Sequence, residues 1–384
     1  MREAGASACE IVVLRDPVVR DVAREAMRVV ASGGIPLVVD DRWTLERVQE
    51  TRELVAGIAP PAGAAFATMT SGTTAGPRIV VRSLESWSLS FATIERLLAL
   101  TADDVVYLPS PPCSSLSMFS IAHAQAAGFA LALPSGHAVR ARDFEGATVV
   151  HCTPSAFRAV LDAIDEGAPH ELRVALLGGS HVPAGLRERA AERGIHLISY
   201  YGAAELSFVA VDVDGSGLRA FDGVDLEVRD GHLWVRSAFA ALGYLSGDGP
   251  FATDGEWMTV GDLARIDDGI VTVLGRVDGA ILSASATIIP ADVEAAIEQA
   301  PGVREAVVVG IENDRVGALV AAVVEAPHGV SIDDLRAATA QLLPSHRPRR
   351  WFVVDELPRT ATGKPARSEI SRRIADGELI ASVR

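Results

Sequence analysis

At 384 residues the chain is longer than one ordinary hydrophobic core organises, so at least two modules are expected. Apolar residues at 49% against 22% charged exclude a disordered chain, and aromatics at 5% leave Val, Leu, Ile and Ala to build the core. Fifty acidic against 35 basic residues, a formal charge of -15, argue against nucleic acid or an anionic membrane surface as partner.

In chain order, residues 1–20 mix Glu3, Glu10, Arg15 and Asp16 into their apolar residues and so lack the uninterrupted run of a signal peptide. After Pro17, Val18, Val22, Ala26 and Val29 recur at helical spacing, and Ser32-Gly33-Gly34 ends that helix before a short strand over 35–39. Further short apolar runs at 105–108, 148–151 and 174–177 alternate with helical or loop-like segments, which predicts a layered α/β core. From about 215 to 276 the texture changes to short strands with turns. Asp230-Gly231 between alternating runs over 226–235 predicts a hairpin there.

The punctuation Gly275-Arg276-Val277-Asp278-Gly279 places a domain boundary near 277, giving modules 1–276 and 277–384. In the second, Pro290 opens a helix with Val293 and Ile297 on one face, and 307–309 and 319–324 read as strands. Residues 331–334 resemble a capping box, so a small α+β unit is expected. No apolar stretch, 316–324 included, approaches the roughly 20 residues that span a bilayer. Cys9, Cys113 and Cys152 are odd in number and far apart, which points to neither a disulfide framework nor a zinc site and fits a reducing cytoplasm.

Four strings carry candidate chemistry. Thr70-Ser71-Gly72-Thr73-Thr74-Ala75-Gly76-Pro77-Arg78 packs four hydroxyls, two glycines and a cation into nine residues. Such a loop can turn backbone N–H groups and hydroxyls inward around phosphate, although no Gly-Lys-Ser/Thr follows to make it a Walker loop. In Tyr200-Tyr201-Gly202-Ala203-Ala204-Glu205 an aromatic ring able to stack a base precedes a carboxylate able to hold Mg2+. Asp262 follows a turn glycine, as an acid accepting from ribose hydroxyls would, with Arg276 downstream. Lys364 sits beside Gly363 on a loop that could carry an ammonium into a site. Taken singly, each string also fits an ordinary turn, cap or solvated surface charge.

Their order and arrangement resemble the adenylate-forming superfamily of acyl-CoA synthetases, peptide-synthetase adenylation domains and luciferases. Gly178-Gly179-Ser180 is similar to that family's adenine-side turn, and 231–237 with Gly243-Tyr244 to its β-subdomain signature. The resemblance runs from about 65 to 370. It implies a large α/β N-terminal domain with a small β subdomain, followed by a small mobile C-terminal lid. Thr70, Ser71, Gly72, Thr73 and Thr74 would hold the β- and γ-phosphates of ATP, while Gly178, Gly179, Ser180, Tyr201, Gly202 and Ala203 would meet the adenine. Glu205 would bind Mg2+, Asp262 the ribose with Arg276 assisting, Asp278 would be the hinge, and Lys364 would bridge the acid's carboxylate and the α-phosphate.

The activity so implied is conversion of a carboxylic acid to acyl-AMP and then to a thioester, with coenzyme A expected over a carrier-protein phosphopantetheine. A non-catalytic nucleotide-binding relative is the alternative. Ala75, Arg78, Ala204, Val260 and Ser285 depart from the common pattern, and at 204 a hydroxyl to the α-phosphate is usual. The segment before the phosphate loop is short, as in o-succinylbenzoate-CoA ligases. Walls of the acid pocket are expected in 114–123 and at Ser207-Phe208, with core packing an equal role for Phe119 and Phe208. His123 is expected to be a packed helix residue.

Overall fold

Successive residues of a strand face opposite sides of its sheet, and in Val149–Cys152 every residue is buried. Val149 packs with Val106, Leu176 and Ile198, whereas Val150 and Cys152 pack with Ala175, Leu177 and Leu197 in a second core. Such a strand belongs inside a sheet covered on both faces. The structure is a computed structural model and describes residues 10–70, 78–179, 182, 184–245, 249–276, 281–283, 286–313, 317–360 and 363–379.

It places Val149–Cys152 in a seven-stranded sheet. Ala130–Ala132, Val105–Tyr107, Val149–Cys152, Val174–Gly178 and His196–Ala203 run parallel, and Ser207–Asp212 and Arg219–Ala220 follow antiparallel. A five-stranded sheet holds Ile11–Leu14, Ile35–Val38 and Phe66–Met69 in parallel, then Ile79–Arg82 and the late arrival Gly243–Tyr244 antiparallel.

Between these sheets lie the helices Val19–Ala31, Glu85–Leu98 and Ser115–Ala127, which send Ala26, Trp87, Ile94 and Met118 into one core with Phe66 and Val149. Residues 117–124 of the last helix are all buried, as a helix sandwiched on every side requires. Pro154–Asp165 and Ala184–Glu192 cover the outer face of the seven-stranded sheet, and Leu45–Ala56 that of the five-stranded one. This is the layered α/β arrangement expected from the sequence.

A third sheet comprises Ala252–Asp254, Trp257–Thr259, His232–Ser237, Asp262–Asp267 and Ile270–Arg276, with Val224–Arg229 paired to His232–Ser237 through the expected Asp230-Gly231 turn. The fourth holds Ala286–Ile288, Ile281–Ser283, Gly317–Glu325, Glu305–Asn313 and Arg350–Val354. Pro290–Ile297 and Ile332–Ala338 pack on one face of it and Arg367–Ala375 on the other. Ser331 caps the Asp333 amide at 3.2 Å, one position earlier than the box expected from the sequence, because its oxygen is spent on the second helical residue. No helix among the described residues is long and apolar enough to cross a membrane.

Packing in this last unit has a measurable cost. Burial, together with Glu305 and Glu294 nearby, pushes the Glu298 carboxyl up from 4.5 to about 7. Between those values the folded chain binds more protons than the unfolded one, so stability falls as pH rises through the window and stays lower above it. Glu298→Gln is therefore expected to unfold at higher urea than the parent at pH 8, by up to roughly 3 kcal/mol, and to match it at pH 4. Equal midpoints at pH 8 would contradict the assignment.

Candidate active site

Parallel strands of an open α/β sheet leave a crevice beyond their carboxyl ends. Here Val149–Cys152, Val174–Gly178 and His196–Ala203 deliver Thr153, Gly179 and the turn carrying Glu205 to one such edge. A cavity of about 1640 Å³ opens above it. Thr70 reaches it from the five-stranded sheet, Gly179, Tyr201 and Glu205 from the seven-stranded one, Asp262 from the third, and Lys364 from the loop beyond the fourth. Gly202 and Ala203 line it as well.

Glu205 lies in the turn joining two antiparallel strands and is only 4% exposed. The Tyr244 hydroxyl donates to its Oε1 at 2.7 Å, which fixes the carboxylate's direction. Behind the turn stands Arg82, with no exposed surface, donating to the Ala204 carbonyl at 2.7 Å, Ser86 Oγ at 3.0 Å and the Phe239 carbonyl at 3.2 Å. Burial pushes this guanidinium down to about 9, and the Glu205 charge opposes that shift. Ser207, just after the turn, adopts φ 60°, a strained conformation of the kind that clusters at functional sites.

The Tyr201 hydroxyl donates to Asp262 Oδ2. Asp262 opens its strand directly opposite Arg276 in register, so both positions lie at the same end of the third sheet. Gly179 turns the chain at φ +93°, and a Cβ there would stand 3.2 Å from Lys364 Cε and 3.6 Å from Thr153 Cγ2. The missing side chain is what lets the lysine lie against the strand end. Gly178 leaves similar room for the ring of Tyr200, its partner in register. Beside Lys364, Thr360 N–H donates to the Lys364 carbonyl at 2.7 Å, and Gly363 N–H to the Thr360 carbonyl at 2.9 Å.

Toward the inner helices the wall turns apolar. Phe119 and Phe208 meet edge to face at 5.0 Å, and both line the cavity while remaining in the core. Tyr200 packs on Phe208 at 4.5 Å. His151 joins Ser120 Oγ at 2.6 Å and Tyr200 Oη at 3.0 Å, and burial pushes it down to about 3, so the imidazole is neutral. His123 is 2% exposed, stacks on Phe91 at 4.4 Å and meets Glu95 at 3.0 Å, the packing residue anticipated.

Ser71, Gly72, Thr73, Thr74, Ala75, Ser180, Asp278 and Ser285 lie outside the described residues, as does the Arg276 side chain. Val260 is core, and Arg78 lines the cavity with its guanidinium 6.0 Å from the Tyr244 ring. Sequence reasoning missed Arg82, Thr153, His151 and the bond from Tyr244 to Glu205. Thr153-Pro154 does carry the signal of a helix start. A buried arginine in a strand and long-range partners carry none.

The profile described as AMP-binding enzyme matches residues 3–245, and that of the AMP-binding enzyme C-terminal domain matches 292–364. The chain is 30% identical to the uncharacterized acyl–CoA ligase YhfT of Bacillus subtilis over 329 residues, 79% of this chain and 67% of that protein. It is 35% identical to a probable 2-succinylbenzoate–CoA ligase of Mycobacterium tuberculosis over 232 residues, 57% of this chain and 58% of the relative. The matched regions thus span little more than half to two thirds of these relatives' length. Among solved structures, an arginine-to-lysine variant of E. coli MenE with bound OSB-AMS superposes with TM-score 0.81 at 21% identity, covering 96% of this chain and 88% of the other. ATP-bound MatB from Rhodopseudomonas palustris does so with TM-score 0.81 at 19% identity, covering 97% and 90%.

Proposed function

Because the chain belongs to the AMP-binding enzyme family, we propose that it activates a carboxylic acid as acyl-AMP with ATP and passes the acyl group to coenzyme A. The observation that carries this reading is Lys364 lying against Gly179 in the same cavity as Glu205, Tyr201 and Asp262. A carboxylate is a poor electrophile, and its oxygen attacks the α-phosphorus of ATP as the bond to pyrophosphate breaks. Coenzyme A thiol then attacks the acyl carbonyl, and AMP leaves.

Negative charge grows on the α-phosphate in the first step, so a positioned ammonium matters more than a general base. Lys364 supplies it, and Gly179, with no side chain in the way, gives the surface against which its arm lies. Glu205, aimed by Tyr244, suits a Mg2+ carried mainly by nucleotide phosphates, since that ion takes one or two carboxylates and keeps other oxygens. The ion, when bound, neutralises phosphate charge. Tyr201 and Asp262 take the adenine and ribose, with Arg276 assisting, and the 70–74 loop the outer phosphates.

Phe119, Phe208, Leu116 and Trp87 on the wall support a small or medium, mainly apolar acid. The chain ranges of the four sheets support a division near 277 with a hinge at Asp278. The names of the acyl–CoA ligase relatives support coenzyme A over a carrier protein. The cytoplasm is the proposed location, supported by the buried free thiols of Cys113 and Cys152.

A panel of aliphatic, aryl and amino acids scored by pyrophosphate exchange, then by thioester formation with coenzyme A, tests the proposal. One or a few acids should drive both steps. Exchange with none would favour a non-catalytic relative, and transfer only to a holo-carrier protein would replace coenzyme A. Asp262→Asn is expected to raise the KM for ATP about tenfold with little change in kcat, because a hydrogen bond to a charged group contributes about 1.5–3 kcal/mol. An unchanged KM would remove Asp262 from nucleotide binding.

A further inference from the structure

The helix Pro154–Asp165 meets the C-terminal unit at three successive levels. At its N-cap, Thr153 Oγ1 lies 3.6 Å from where a Cβ on Gly363 would stand. One turn on, Arg158 extends from the helix to 3.9 Å from Glu305, both side chains 13% exposed. A further turn on, Asp162 faces Arg304 at 3.5 Å.

The middle level is the unusual one. Glu305 and Glu325 both pair with Arg359, at 2.8 and 2.7 Å, and all three side chains are largely buried. Arg359 also donates to the carbonyl of Gly363 at 3.3 Å, the residue just before Lys364. Glu325 in addition accepts from the Leu357 amide at 3.0 Å, so this cluster anchors both ends of the segment leading to the lysine.

Counting charge, two carboxylates and one guanidinium leave the C-terminal unit one negative charge in excess, with Glu298 close by. Uncompensated buried charge is costly. Arg158, carried by the other module, supplies the missing cation. In the docked arrangement its burial works against the charged form, and Glu305, Glu325 and Glu298 oppose that effect. Were the C-terminal unit to rotate away, water would solvate the carboxylates and Arg158 would lose its partners.

Resting on the acyl-activation reading above, we propose that Arg158 is a positioning residue for Lys364. It completes the Glu305–Arg359–Glu325 cluster only while the modules are docked, and so favours the arrangement in which Lys364 lies against Gly179 over one in which the C-terminal unit has rotated away. Its effect belongs to the first half-reaction and not the second.

The test uses the full chain with Arg158→Gln and Arg158→Lys. Pyrophosphate exchange should fall about tenfold or more in Arg158→Gln, as breaking a partly buried charge pair implies. Transfer from chemically prepared acyl-AMP to coenzyme A should not fall, and Arg158→Lys should restore most of the exchange. Equal losses in both half-reactions, or intact exchange, overturn the assignment.

A second measurement needs no acid. Nitroxides at Glu53→Cys on the helix Leu45–Ala56 and Asp333→Cys on Ile332–Ala338, in a Cys9→Ser background, report the distance between modules. With ATP and Mg2+ the parent should give one narrow distribution and Arg158→Gln a broader one, whereas identical distributions overturn the role. A parent inactive with every acid would refute acyl activation, and the distances would then decide Arg158 by themselves.

Discussion

Lys364→Ala is expected to slow pyrophosphate exchange by about a hundredfold to a thousandfold, the scale on which removing one preorganised donor acts in other enzymes. ATP affinity, read by calorimetry without acid, should stay as it was. The separation follows from geometry: the lysine arm lies on Gly179 and near Thr153, while Tyr201 and Asp262 form their own hydrogen-bonded pair. An interaction made only as charge develops lowers kcat and kcat/KM together. Rapid exchange by the alanine variant would take the ammonium out of the chemistry, and a parallel collapse of ATP binding would make it a ground-state ligand instead.

Gly202→Ala should be the most damaging single methyl in the site. Its Cβ would stand 2.1 Å from the carbonyl oxygen of Ser207 and 3.1 Å from the carbonyl carbon, and neither can rotate away because both belong to the backbone. Relief requires parting His196–Ala203 from Ser207–Asp212, the pair whose turn bears Glu205. We expect a loss of about 3 kcal/mol in urea unfolding, at the upper end for overpacking, together with a raised requirement for Mg2+ and ATP. Gly185→Ala is the internal comparison. It lies in the helix Ala184–Glu192 with nothing within 4 Å of the new methyl, so it should be neutral or slightly stabilising. Similar behaviour of the two variants would show that the hairpin yields easily.

Much of this architecture was legible in the chain because local pattern and tertiary outcome agree. The helix after Pro17, the Asp230-Gly231 hairpin and the helix opened by Pro290 each form where periodicity and turn chemistry place them. The uncommon local strings at Gly178-Gly179 and Tyr201 to Glu205 stood out in the sequence, and Gly179, Tyr201 and Glu205 line one cavity. Arg82 did not stand out, because two of the groups it donates to, the carbonyls of Ala204 and Phe239, lie 122 and 157 positions away, outside any local window. Tyr244 was noticed as part of a signature and not as the donor to Glu205, since that bond joins residues 39 positions apart. The Arg158 contact was hidden for the same reason, lying between modules that the sequence could only divide.

The strand Gly243–Tyr244 completes the edge of the five-stranded sheet against Ile79–Arg82, made far earlier in the chain. At about 5–20 residues per second, a ribosome leaves Val80 and Val81 waiting roughly 10–30 s for that partner. The nascent protein therefore carries an open apolar edge through much of its synthesis, a template for wrong pairing. The same two residues finish the sheet and bring the hydroxyl that aims Glu205, so closing that edge and orienting the buried carboxylate belong to one event.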